Sequence, residues 1–199
     1  AEAPAAPETT ETTEANTETT TDTVEQIYKI GVVQIVEHPA LDAARDGFVE
    51  GLKESGFDGN VEFVNENAQG EMATAQIIAQ GFIEAEVDMI YAIATPTAQA
   101  AYNATKEIPV MISAVTDPVA AGLVTSMEAP GTNVSGTSDE APIDLQLELL
   151  GDLGLAPETI GFIYNTSEKN SEVQLEVLKV EAEKLGWTVE ALGITSLTE

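Results

Sequence analysis

The sequence predicts an α/β fold: one lobe built on a parallel sheet with helices on both faces, followed by the start of a second α/β lobe. Three observations carry this. Short β-branched runs begin near residues 27, 61, 87, 108 and 134, close to the roughly 30-residue length of a βαβ unit. Apolar residues between those runs recur at helical spacing. Of the 199 residues 43% are hydrophobic but only 5% aromatic, an aliphatic mass suited to strands buried on both faces.

Taken in order, Ile27 to Val36 (IYKIGVVQIV) is almost continuously apolar and is the strongest strand candidate. Leu41, Ala44, Phe48 and Leu52 share one helical face, and Gly56 reads as the stop after Ser55. Val61 to Val64 supplies a second strand, and Met72, Ala75, Ile78, Ala79 and Phe82 line a second helix. The third strand, Val87 to Ala94, runs into Thr95-Pro96, where Thr suits an N-cap and Pro the first helical turn. A short helix to about Ala104 follows, then strands at Ile108 to Val115 and Val134 to Ser138. Pro142 to Leu153 and Ser171 to Leu185 read as helices, the latter closed by Gly186, and Thr159 to Tyr164 and Trp187 to Ile194 as strands. The organisation expected is therefore a linker over residues 1–26, a lobe over 27–140 and part of a second over 141–199.

The linker reading rests on composition. Residues 1–26 are Ala, Pro, Glu and Thr with no Lys or Arg and Val24 as the one large aliphatic, too little apolar surface to offset ordering entropy. Such stretches hold a module away from an anchor, so a signal segment is expected upstream of Ala1. Seven Lys plus Arg against 35 Asp plus Glu give a net charge of −28. That field repels phosphate backbones and anionic lipid, which argues against nucleic acid and membrane surfaces as partners. Seven acids lie in the linker, which leaves −21 on the remainder; a halophile-like surface and a solubility device for an exported protein are both open readings. With no Cys and only His38, disulfides, thiolate nucleophiles, zinc-thiolate sites and His-rich metal cages are unavailable. No apolar run approaches the roughly 20 residues of a spanning helix.

Ligands of parallel sheets sit outside the carboxyl ends of the strands, which locates the candidate residues. The first strand is followed by Glu37-His38-Pro39-Ala40-Leu41-Asp42, with no GxGxxG and hence no nucleotide cofactor expected. Thr95, Thr97 and Gln99 follow the third, where hydroxyls and free helix amides form a neutral site for one carboxylate. Ser113, Thr116 and Asp117 follow the fourth, and Thr137, Ser138 and Asp139 the fifth. A carboxylate at the Thr95 and Thr97 end and an ammonium facing Asp117 or Glu37 is the pairing an amino acid zwitterion requires. Each residue also has a structural reading: Thr95 and Asp139 as helix caps, Asp117 before Pro118 as a turn, His38 before Pro39 as a loop residue. The Asn-X-Ser/Thr triplets at Asn103, Asn133 and Asn165 are short enough to arise by chance in a Thr-rich chain.

Catalytic readings fare worse. A receiver-type phosphoacceptor domain needs an Asp where Thr95 stands and a Lys after the fifth strand, and a hydrolase needs a G-x-S-x-G elbow with a distant His. Neither pattern is present. Asp139 and Glu140 are adjacent and point apart on a helix start.

The run IGVVQIVEHPALDAARDGFVEGLKESGF, followed by YAIATPTAQAA, IPVMISAVTDPVAAGLV and PGTNVSGTSD, resembles the ABC transporter substrate-binding proteins of the tryptophan/tyrosine-type family. The resemblance spans about Tyr28 to Ile194. It implies a periplasmic-binding-protein type I fold, two Rossmann-like lobes closing on a small solute of the amino acid class, aromatic ones included, that is delivered to a permease and ATPase. It implies no cofactor and no catalysis, and an extracytoplasmic, lipid-anchored protein whose lipidated Cys lies upstream of Ala1. Family members continue well past Glu199. On matching positions the resemblance places the solute against Glu37, Asp42, Thr95, Thr97, Gln99, Ser113, Thr116, Asp117, Thr137 and Ser138, with Asn165, Ser167 and Asn170 from the second lobe. Two other functions are weighed beside this one: a sensor of the same fold feeding a signalling partner, and an enzyme acting on amino acids or their esters.

Overall fold

In the computed structural model, which describes residues 26–195, five strands form a parallel sheet in the order β2-β1-β3-β4-β5. They are β1 (Tyr28–Gln34), β2 (Val61–Asn67), β3 (Met89–Ile93), β4 (Val110–Val115) and β5 (Val134–Ser138). The 1–26 linker falls outside the described residues except for Gln26. Helix α1 (Pro39–Leu52) joins β1 to β2, α2 (Met72–Glu84) joins β2 to β3, and α3 (Thr95–Ala104) joins β3 to β4. After β5, α4 (Ile143–Asp152) leads to a separate two-stranded parallel sheet of β6 (Thr159–Asn165) and β7 (Thr188–Ile194), linked by α5 (Lys169–Lys184). The expected α/β class and parallel order are thus present, with strand edges shifted by a few residues.

Alternation along the strands divides the core into two layers, because successive side chains of a strand face opposite ways. Ile30, Val32, Tyr91 and Ile93 pack beneath α1 with Leu41, Ala44, Phe48 and Leu52. Val33, Ala92 and Ile112 face the other side, against Phe82, Ala98 and Ala101 of α2 and α3. Alanines 68, 75, 79 and 100 form a small-residue seam where α2 meets α3. Gly31 serves this packing directly: a Cβ there would lie 2.7 Å from the Phe82 ring, so the fully buried phenylalanine occupies the space a side chain on β1 would take. In the two-stranded sheet, Leu147, Leu178 and Ala182 pack with Ile160, Phe162, Trp187 and Val189 on one face. Ile163 and Leu192 stand exposed.

One local expectation is met and three are corrected. After α1 the chain widens into a π-helical turn over Lys53–Phe57, and the helical backbone breaks at Gly56, the stop expected after Ser55, which takes φ 90° and ψ 12°, a left-handed conformation glycine reaches without a Cβ clash. Thr95 is the first residue of α3, not its cap, which is Ala94. Asp139 caps no helix, since α4 begins only after Pro142. His38, read as a loop residue, is the N-cap of α1: its Nδ1 accepts the Ala40 N–H at 3.2 Å, satisfying one of the free amides of the first turn.

Candidate functional site

The order 2-1-3-4-5 has its switch point between β1 and β3, whose crossovers leave toward opposite faces, and ligands of such sheets bind in the crevice at those carboxyl ends. On the β1 side, Gln34 ends the strand only 3% exposed. Its Nε2 donates to the Val36 carbonyl and to Asp42 Oδ1, both at 2.8 Å, and Arg45 Nη1 approaches its Oε1 at 3.4 Å. Arg45 also pairs with Asp42 at 3.5 Å and Asp46 at 2.8 Å. Asp42 is therefore occupied in holding the first turn of α1 to the end of β1, while Glu37 lies exposed beside it.

Across the crevice, β3 is followed by Ala94, whose backbone adopts φ 85° and ψ 155°, a region populated almost only by glycine. Thr95 follows, 2% exposed, and its Oγ1 is buried without a hydrogen-bond partner. Thr97 is fully buried and its hydroxyl turns back on the strand, 2.6 Å from the Ile93 carbonyl and 2.9 Å from that of Ala94. Gln99 reaches the Ala121 carbonyl through Nε2 at 3.0 Å, tying α3 to the loop after β4.

At the end of β4, Ser113 Oγ lies 2.7 Å from the Tyr91 hydroxyl, which also donates to the Ala44 carbonyl at 3.3 Å. The Tyr91 ring stacks on Phe48 with centroids 3.9 Å apart. Burial pushes the Tyr91 phenol above its ordinary value, because the anion would lose hydration, and the Ser113 hydrogen bond offsets this in part. Asp117 Oδ1 accepts the Val119 and Ala120 amides, each at 2.9 Å, so one oxygen builds the turn expected before Pro118. Thr116 is 8% exposed. Its carbonyl accepts the Ser138 hydroxyl at 2.8 Å, locking the ends of β4 and β5 together, and Thr137 is exposed next to it.

The second sheet contributes Asn165 at the end of β6. Its Oδ1 accepts the Ser167 amide and hydroxyl at 3.0 and 2.8 Å, and its Nδ2 donates to Glu168 at 2.9 Å. Asn170, in the first turn of α5, has a buried Oδ1 without a partner. The two units face one another here: Thr116, Asp117 and Glu140 line a narrow cleft with Val173, Gln174 and Val177 of α5, and α3 contacts α5. A wider groove of 330 Å³ beside Asp144 and Glu181 adjoins this cleft, sharing Glu140 and Val177 with it, and one of 690 Å³ beside Arg45, Lys53 and Phe63 lies elsewhere. Among the described residues no three His, Cys, Asp or Glu side chains are grouped to hold a metal ion, and no helix is long and apolar enough to cross a membrane.

The structure thus gathers Glu37, Asp42, Thr95, Thr97, Gln99, Ser113, Thr116, Asp117, Thr137 and Ser138 along the strand ends of one sheet, and Asn165 with Ser167 along that of the other. The side chains of eight of them already bond within the protein. Sequence reasoning passed over Gln34 and Ala94. The first left a signal, a lone amide in an apolar run; the second left none, since its peculiarity is a backbone angle.

A doubly wound sheet whose strand ends face a second α/β unit defines a class of fold: two-unit α/β proteins with a crevice at the strand ends. The family model for ABC transporter substrate binding proteins matches residues 29–199, and the chain belongs to that family. It is 52% identical over 172 residues to a tyrosine-binding protein of Clostridioides difficile, covering 85% of this chain and 50% of that one. Among solved structures, an ABC domain in complex with L-Trp from Streptococcus pneumonia shares 39% identity and a TM-score of 0.82, over 87% of this chain and 59% of that one. A ligand-free, open substrate binding protein with adhesive properties from Clostridium difficile shares 54% identity but a TM-score of 0.67, over 85% and 58%. The chain spans about half the length of the curated relative it matches. The fold is the type I periplasmic binding fold.

Proposed function

We propose that this chain is the solute-recognising part of an extracytoplasmic receptor for an ABC importer, and that its solute is an aromatic amino acid held between a lobe of residues 27–140 and a second lobe begun at 141–199. The observation that carries the reading is the 52% identity to a protein named for binding tyrosine, reinforced by the likeness to an L-Trp complex. The higher TM-score to that complex than to the open, ligand-free relative, despite lower identity, supports an arrangement of the two sheets close to that of the ligand-bound relative. Closure on a ligand shifts a two-state equilibrium that a permease and its ATPase can sense; no covalent step is involved. An anchor upstream of Ala1 belongs to the same proposal.

Within the site, the solute carboxylate is assigned to the head of α3. Free amides of a first turn carry a partial positive charge, which matters in a chain whose one Arg is committed to three side chains at α1. The Thr95 hydroxyl there is buried and unpaired, and a donor left so costs about 1–3 kcal/mol. The ammonium is assigned to Asp117 or the exposed Glu37. Thermal melting against the twenty amino acids tests the reading: L-Trp or L-Tyr raises the melting temperature, and a flat response to all twenty removes it. Thr95→Val separates the role of this residue from fold support. It is expected to melt higher without solute, because an unsatisfied hydroxyl is gone, and to bind about tenfold more weakly, the equivalent of one hydrogen bond.

A further inference from the structure

Thr95 and Thr97 stand two residues apart on the same first turn, yet their hydroxyls are in opposite situations. Thr95 Oγ1 has no partner. Thr97 Oγ1 faces two carbonyls, those of Ile93 at 2.6 Å and Ala94 at 2.9 Å, and a hydroxyl has one proton to give. A carboxylate accepts only, so it has nothing to receive from Thr97.

The Ala94 carbonyl is held unusually well. It takes the Ala98 amide at 3.1 Å as well as the Thr97 hydroxyl, and the Ala94 amide is bonded to the Ser113 carbonyl of β4 at 3.0 Å. Such support is needed, since at φ 85° and ψ 155° a Cβ is strained and the segment relaxes unless its surroundings over-determine it. Of the residues fixing that angle, Thr97 alone acts through a side chain.

We propose that Thr97 is a positioning residue: by sharing its hydroxyl proton between the Ile93 and Ala94 carbonyls, the peptide groups on either side of the strained residue, it sets the angle at which β3 enters α3, and so aims the Thr95 hydroxyl and the first amides of α3 at the solute carboxylate without touching the solute. This rests on the amino acid reading above. The strain at Ala94 is the stored cost of that aim, and Thr97 with Ser113 keeps it stored. Discrimination of a free carboxylate from its amide is the property this device controls.

Calorimetric titration of the full chain with L-tryptophan and L-tryptophan amide tests it. The wild type is expected to prefer the free acid. Thr97→Val, equal in shape but without the hydroxyl, should lose about tenfold in affinity for the acid and lose the preference over the amide, while Thr97→Ser retains both. Ala94→Gly, for which φ 85° is unstrained, should raise the melting temperature, keep the affinity, and recover the acid preference when combined with Thr97→Val. A folded Thr97→Val with unchanged affinity and preference overturns the positioning role and leaves the amino acid reading standing. An Ala94→Gly chain that melts no higher than wild type also overturns it, whether or not Thr97→Val folds. A wild type that answers to no amino acid removes both.

Discussion

Gln34, Asp42 and Arg45 show how a residue that looks like a ligand contact becomes part of the frame. From the sequence, Asp42 is an acid in the turn after the first strand; in the structure it receives the Gln34 amide at 2.8 Å and pairs with Arg45. Gln34 could be seen as an amide in an apolar run, but its partners lie eight and eleven residues onward, and spacing on different elements does not reveal a side-chain bond. Tyr91 is similar. It reads as one more strand residue, yet it joins Phe48, Ala44 and Ser113 across the α1 face. Burial holds its phenol above the ordinary tyrosine value, so the neutral form is the one the fold favours. The linked stability is fully present below pH 10 and is lost as pH rises through the higher folded value. Unfolding free energy measured by denaturant should accordingly fall more steeply above pH 10 in the wild type than in Tyr91→Phe. At neutral pH the variant should be less stable by about 1 kcal/mol, the worth of a hydrogen bond. Parallel curves for the two proteins would show that Tyr91 does not carry the alkaline slope.

Elements were far more legible than side-chain partners. Val134–Ser138 is the strand expected to the residue, and among the described residues the seven strands and five α-helices fall where β-branched runs and helical spacing put them. What the pattern could not show is backbone conformation at the joints, the π-turn at Lys53–Phe57 and the positive φ at Ala94, because hydrophobic periodicity reports which residues are covered and not their dihedral angles. Elements also differ in support. The five-stranded sheet is covered on both faces, whereas β6 and β7 pair only with each other and leave Ile163 and Leu192 exposed at 67% and 61%. Two paired strands are marginal without further cover. The ion pairs on α5, Lys169 with Glu172, Lys179 with Glu176 and Lys184 with Glu181, are surface i,i+3 pairs and add little. Hydrogen exchange should therefore open β6 and β7 at lower free energy than β1, β3 and β4; equal protection across both sheets would contradict this account of their packing.

At the scale of the whole molecule, charge and architecture point the same way. A net charge of −28 keeps anionic polymers away and leaves the strand-end crevice to a ligand small enough to be read by hydroxyls, amides and one or two acids. The residues proposed to do so come from both sheets, so recognition depends on the two being brought together, as the likeness to the L-Trp complex supports. We propose that this chain recognises a free aromatic amino acid. This is tested most directly by calorimetric titration of the folded chain with L-tryptophan and L-tyrosine. The account predicts saturable one-to-one binding of at least one of them, weakened about tenfold by Thr95→Val. The absence of saturable heat with both, under conditions where the chain shows a cooperative melt, would contradict it.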